Sequence, residues 1–218
     1  MKKDELLARI KEIGIIPAVR ASSSEEAYFA AAAVNHGGIP IAEITVTVPG
    51  AVDVIARLVR GFPGMIVGAG TLLDIEMAER CLDAGAQFLT SPGLVLEVVD
   101  FAVKKQIAVL PGALTPTELI AAWKAGADMV KVFPCAQVGG DSYIRALKAP
   151  FPDVPLIASG GVNQQTALKF LLGGASALGI GGELIPREAV RLRHEQRILE
   201  LAHRFTKMVK DARSRKVY

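Results

Sequence analysis

The chain has 218 residues, 51% hydrophobic and 22% charged, the profile of a folded globular enzyme, and one large domain spanning 1–218 is expected. Aromatic residues make up 6% and the net charge is +3, so neither a base-stacking platform nor a polyanion partner is expected. Cys81 and Cys135 fit no metal-ligand spacing and suit a reducing compartment. The start MKKDELLARIKEIG is charged and amphipathic, and no stretch nears the roughly 18 apolar residues of a spanning helix, so a cytoplasmic location without membrane contact is expected.

Residues before Ile15 predict a helix that caps one end of the fold. From there a short apolar run followed by a longer helical segment recurs eight times. The predicted strands are Ile15–Val19, Pro40–Val46, Met65–Ala69, Gln87–Thr90, Ile107–Leu110, Met129–Phe133, Pro155–Ala158 and Ala177–Ile180. Between them lie Ala- and Leu-rich segments such as EEAYFAAAAVNHGG and QQTALKFLLGGA, several ending in glycine as helix C-caps do. Alternating short strands and helices predict right-handed parallel βαβ units. Eight of them close into a (β/α)8 barrel, compact for that fold. An open doubly wound sheet is the alternative, but its glycine-rich signal belongs after the first strand, and here the paired glycines come late. After Pro186 the pattern predicts one long last helix. Its basic run (Arg187, Arg191, Arg193, Arg197, Arg204, Lys207, Lys210) reads as a solvated face, with an anion patch as the other possibility.

Barrels of this kind carry their chemistry at the C-terminal ends of the strands. Strand two reads IAEITVT, and alternation puts Ile41, Glu43, Thr45 and Thr47 on one face, the inner one. Strand six reads MVKVFP and turns Lys131 the same way as Met129 and Phe133. Strands two and six face each other across an eight-stranded ring, so both side chains reach one central ligand. An amine held away from water is a nucleophile toward a ketone, and a carboxylate beside it can move the protons that imine chemistry requires. A structural ion pair is the competing reading, although such a pair rarely adds stability over apolar packing. Strands seven and eight end in SGG and GIGGE, so Gly160, Gly161, Gly181 and Gly182 can bring backbone N–H groups to an anion, or simply make tight turns. GAGT, SPG and LPGAL end strands three to five; each can be a plain turn, with Thr71 as a helix N-cap.

Taken together, GGIPIAEITVT, VGAGTLLD, AGAQFLTSPG, LPGALTPTEL, GADMVKVFP and ASGGVN resemble the 2-keto-3-deoxy-6-phosphogluconate and 4-hydroxy-2-oxoglutarate aldolases, from about Ile15 to Pro186. The resemblance implies a (β/α)8 barrel, usually a homotrimer, that cleaves a 2-keto-4-hydroxy acid to pyruvate and an aldehyde with no metal or organic cofactor. By position, Lys131 resembles the Schiff-base lysine and Glu43 the acid/base. Thr71 resembles a holder of the pyruvate carboxylate, and Pro92 lines the same pocket. Ser159 stands where threonine is frequent, and Gly160 and Gly161 resemble the phosphate-site turn.

Two departures from the family pattern stand out. Many members have arginine where this chain has Thr47, and Arg20 at the end of strand one is the expected substitute for gripping a carboxylate. Serine is frequent after the strand-eight glycines, where this chain has Glu183, so weaker preference for a phosphorylated substrate is expected. A phosphate-binding isomerase or synthase without covalent chemistry would explain the glycine turns but not a lysine in mid-strand. An inactive binding barrel is disfavoured by the intact Lys131 and Glu43.

Overall fold

In a computed structural model, which describes residues 1–215, the expected ring of parallel strands is present. The last three residues of the expected 1–218 span lie outside the described ones. The strands are β1 (Ile15–Val19), β2 (Ile41–Thr45), β3 (Ile66–Gly70), β4 (Phe88–Thr90), β5 (Ala108–Leu110), β6 (Gly112–Ala113), β7 (Val130–Val132), β8 (Leu156–Ser159) and β9 (Ala177–Ile180). They follow the order β5-β4-β3-β2-β1-β9-β8-β7-β6. The first strand pairs with the last, Ile15 beside Leu178, as well as with β2, which excludes the open doubly wound sheet.

The two ends of that order, β5 and β6, are halves of one strand. Pro111 lies between them and has no N–H to give to a ladder. Its carbonyl still accepts from Lys131 N at 2.8 Å, and Ala113 O accepts from Phe133 N at 3.2 Å. The ring therefore closes as an eight-stranded (β/α)8 barrel whose fifth strand runs past Leu110. The segment LPGAL, read from sequence as a turn, belongs to that strand.

Outer helices follow the strands: α2 (Ser24–His36), α3 (Ala51–Gly61), α4 (Ile75–Asp83), α5 (Leu96–Lys104), α6 (Pro116–Lys124), α7 (Asp141–Lys148) and α8 (Ala167–Leu172). Helix α2 buries Ala27, Ala30, Ala31, Ala33 and Val34, small side chains that let it lie close to the sheet. Its N-cap Ser23 accepts from Glu26 N at 3.2 Å, and Thr115 and Glu118 form a reciprocal capping box on α6. The cap of α4 is Asp74, which accepts from Met77 N at 2.8 Å. Thr71 is thus not a helix cap, which leaves its hydroxyl at the strand end.

At the opposite end of the ring, α1 (Lys3–Ile13) buries Leu6 and Ile10 against the strands, and Lys3 pairs with Asp128 at 2.9 Å. The expected single last helix is two, α9 (Arg187–Arg191) and α10 (Glu195–Arg215). The chain breaks at Arg193, whose φ is 54°. The guanidinium compensates: it donates to Glu25 O at 3.1 Å and lies 4.8 Å over the Phe29 ring. Among the described residues no helix is long and apolar enough to cross a membrane.

Candidate active site

Lys131 is in the middle of β7, level with Gly112 on one side and Ile157 on the other. Glu43 is in the middle of β2, level with Ala18 and Gly68. The two side chains meet in the ring, with Lys131 Nζ 3.5 Å from Glu43 Oε2 and side-chain exposures of 9% and 4%. The face assignment made from alternation therefore holds for both residues. At this depth the two charges are held largely by each other. The Phe133 ring adds a cation–π contact, its centroid 5.8 Å from Nζ.

Glycines make the room. A Cβ on Gly68 would collide with the Phe88 ring, and one on Gly70 would collide with Thr90 Oγ1 and lie 2.6 Å from Glu43 Oε1. A Cβ on Gly179 would sit 2.7 Å from Ser159 Oγ, so the β9 glycine is what admits that hydroxyl.

Above the lysine opens a cavity of about 330 Å³. It is lined by Lys131 and Phe133, by Ser159 at the end of β8 and Gly160, Gly161 and Asn163 after it, by Gly181, Gly182 and Glu183 after β9, and by Arg20 just past β1. Gly160 and Gly161 both have positive φ, 84° and 79°, which only glycine adopts cheaply. Their carbonyls accept from Ala136 N at 3.1 Å and Thr166 Oγ1 at 3.0 Å, while their amides donate to no described residue. Glu183 is exposed and has no hydrogen bond or ion pair among the described residues.

The remaining expected site residues lie around this cavity rather than in its wall. Thr71 and Pro92 follow β3 and β4, across the ring from β8. Thr47 is exposed just past β2, its hydroxyl 3.0 Å from that of Thr45, which in turn donates to Val19 O at 2.9 Å. With Arg20 it borders a second cavity of about 470 Å³, to which Arg187 and Arg191 also contribute. The basic run read as a solvated face is exposed, and these two of its members flank the mouth beside Arg20. Sequence reasoning missed Phe133 and Asn163 as lining residues, and it missed Thr90, an inward hydroxyl on β4. Period-two alternation with Phe88 was the available signal for Thr90. Among the described residues no cluster of His, Cys, Asp or Glu is placed to hold a metal ion.

A parallel eight-stranded barrel with a buried lysine–carboxylate pair under a glycine-lined mouth defines a barrel enzyme with its site at the strands' C-terminal ends. The profile of the KDPG and KHG aldolases matches residues 6–201, and the chain belongs to that family. It is 33% identical to the KHG/KDPG aldolase of Escherichia coli strain K12 over 189 residues, 86% of this chain and 88% of that one. It is 34% identical to a probable 2-dehydro-3-deoxy-6-phosphogalactonate aldolase of Rhizobium meliloti, over 78% of this chain and 81% of that one. The structure is similar to that of the KDPG aldolase of Legionella pneumophila, solved with pyruvate captured at low pH as a covalent carbinolamine intermediate. The TM-score is 0.84 and the identity 30%, over 90% of this chain and 96% of that one. The protein is accordingly an aldolase, a lyase.

Proposed function

We propose that the protein is a class I aldolase that forms a Schiff base between Lys131 and a 2-keto-4-hydroxy acid, with Glu43 as general acid and base. The carrying observation is the 3.5 Å approach of Lys131 Nζ and Glu43 Oε2 beneath the cavity. The carbinolamine in the Legionella pneumophila relative supports the reading, because it is the adduct an amine and pyruvate form before losing water. Lys131 first passes a proton to Glu43; the neutral amine then adds to C2, and Glu43 returns that proton to the carbinolamine oxygen, which leaves as water. The iminium then draws the electron pair of the C3–C4 bond, C4 gives up its hydroxyl proton to the carboxylate, and the aldehyde departs. The resulting enamine takes that proton back at C3, and water releases pyruvate.

In this reading Thr71 and Arg20 hold the pyruvate carboxylate, with Thr47 beside Arg20, and Pro92 and Ser159 shape the pocket. Gly160, Gly161, Gly181 and Gly182 face the far end of the substrate, with Glu183 at the rim. The substrates proposed are 2-keto-3-deoxy-6-phosphogluconate and 4-hydroxy-2-oxoglutarate, cleaved to pyruvate and glyceraldehyde 3-phosphate or glyoxylate. No cofactor takes part. The proposal extends to a cytoplasmic single-domain protein that assembles as a homotrimer, for which exposed Leu96, Ile120 and Trp123 on α5 and α6 offer apolar contact surface.

The test is incubation with pyruvate and borohydride, followed by intact mass and peptide mapping. A single adduct on Lys131 is expected. Arginine keeps the charge but forms no imine at neutral pH, so Lys131→Arg should give no adduct and no cleavage. An adduct on another lysine, or near-normal cleavage by Lys131→Arg, would overturn the mechanism.

A further inference from the structure

β2 and β4 each turn inward one buried oxygen that no described residue satisfies. Oε2 of Glu43 faces Lys131, but Oε1 of Glu43 and Oγ1 of Thr90 have no hydrogen-bond partner among the described residues. Thr90 is 2% exposed and Glu43 3%, so bulk water does not serve them. An unsatisfied buried polar group destabilises the fold, and valine at position 90 would fill nearly the same shape without that cost. The two orphans also crowd one point: the place of a Cβ on Gly70, which would collide with Thr90 Oγ1 and lie 2.6 Å from Glu43 Oε1. Only a glycine on β3 lets the two side chains, from strands on either side of it, converge there. Where a sequence keeps a polar group that its packing does not need, a functional reason is the first to test.

We propose that Thr90 is a positioning residue for the acid/base carboxylate: its hydroxyl donates to Oε1 of Glu43, directly or through one water, and holds Oε2 turned toward Lys131. This rests on the aldolase reading given above. Rotation about the last torsion of a glutamate is soft, so a carboxylate held through one oxygen swings freely. A donor on the second oxygen fixes the plane and leaves Oε2 aimed at the atoms bound to Nζ. Thr90 keeps its proton and makes no bond to substrate. The proton leaving C3 goes to Glu43, which exchanges it with solvent before it returns one to that carbon.

The assay is deuterium uptake at the methyl carbon of pyruvate in D2O, with borohydride trapping and thermal melting measured on the same proteins. For Thr90→Val, exchange should fall about 10- to 100-fold, the scale of an ångström-sized misplacement. Trapping on Lys131 should keep its wild-type extent at equilibrium, and the melting temperature should fall only slightly, because Oε1 of Glu43 loses one donor while the packing is kept. Thr90→Ser should restore most of the exchange. Wild-type exchange in Thr90→Val overturns the inference alone. So does equal loss in both variants with strongly lowered melting temperatures, which marks a packing role. Failure of the wild-type protein to trap pyruvate overturns the aldolase reading and this inference with it.

Discussion

Replacing Lys131 by methionine should destabilise the protein, and replacing Glu43 by leucine as well should undo the damage. The pair is 3.5 Å apart with side-chain exposures of 9% and 4%. At an effective dielectric of 20, unit charges at that distance attract by about 5 kcal/mol, which offsets a desolvation cost of several kcal/mol for each ion. Removing one partner leaves the other buried and uncompensated, a loss of about 3–5 kcal/mol. For a chain of this size each kcal/mol moves the melting temperature by about 2–4 °C, so Lys131→Met should melt roughly 6–20 °C lower at pH 7. The double variant Lys131→Met/Glu43→Leu exchanges both charges for apolar atoms and should match or exceed wild type, by up to about 4 kcal/mol. Neither variant should trap pyruvate. Urea denaturation at pH 7, with midpoint and slope fitted together, reads the stabilities. A single variant as stable as wild type, or a double variant no better than the single, would refute the claim that this is a desolvated pair kept for chemistry rather than for stability.

Glu43→Gln keeps the shape and one acceptor but cannot carry a proton; turnover should fall roughly 10²–10⁴-fold in a steady-state cleavage assay, with unchanged circular dichroism. The free thiols of Cys81 and Cys135 should be inert to a disulfide reagent in the native protein at pH 8 and react only on unfolding, because burial pushes them from 9.0 up to about 11 and about 12. A thiol raised on folding contributes stability below its unfolded value and loses it as pH climbs through the folded one. Stability should therefore decline from pH 9.0 toward about 11–12, and the decline should flatten in Cys81→Ala/Cys135→Ala.

The parts of the fold that were legible in the sequence are those in which one residue's pattern determines one residue's place. Alternation in IAEITVT and MVKVFP was enough to aim Glu43 and Lys131 inward, and both meet in the ring. Strand five was ended at Leu110 because LPGAL, with Pro111 in it, reads as a turn. In the ring its carbonyl still accepts from Lys131, so the ladder crosses the proline on its acceptor side. The break after α9 was hidden because the apolar spacing of the last helices continues through it. Arg193 takes a positive φ held by contacts with Glu25 and Phe29, residues far away in sequence. Cavity walls were the least legible. Arg187 and Arg191 join Arg20 only because the turn after β9 lays α9 beside the ends of β1 and β2, a tertiary fact that no local spacing carries.

Substrate choice should be weakly set in this barrel, because chemistry and selection sit in different dielectrics. The reacting pair is buried, whereas Arg20, Thr47 and Glu183 are exposed. At about 4 Å a carboxylate repels a unit negative charge by about 4 kcal/mol at an effective dielectric of 20, but only about 1 kcal/mol in water. Exposure of Glu183, without an ion pair to fix it, argues for the lower figure. A phosphate carries close to two charges at neutral pH, so the penalty is about 1–2 kcal/mol, or about 5- to 30-fold in preference. Glu183→Ser should accordingly raise the ratio of kcat/KM for 2-keto-3-deoxy-6-phosphogluconate over that for 4-hydroxy-2-oxoglutarate by that factor. The gain should shrink as salt is added, since exposed charges are screened. An unchanged ratio would mean that Glu183 never approaches the phosphate. A gain of a thousandfold or more, insensitive to salt, would mean that the mouth closes over the substrate and excludes water, which would place selection in the same low dielectric as Lys131.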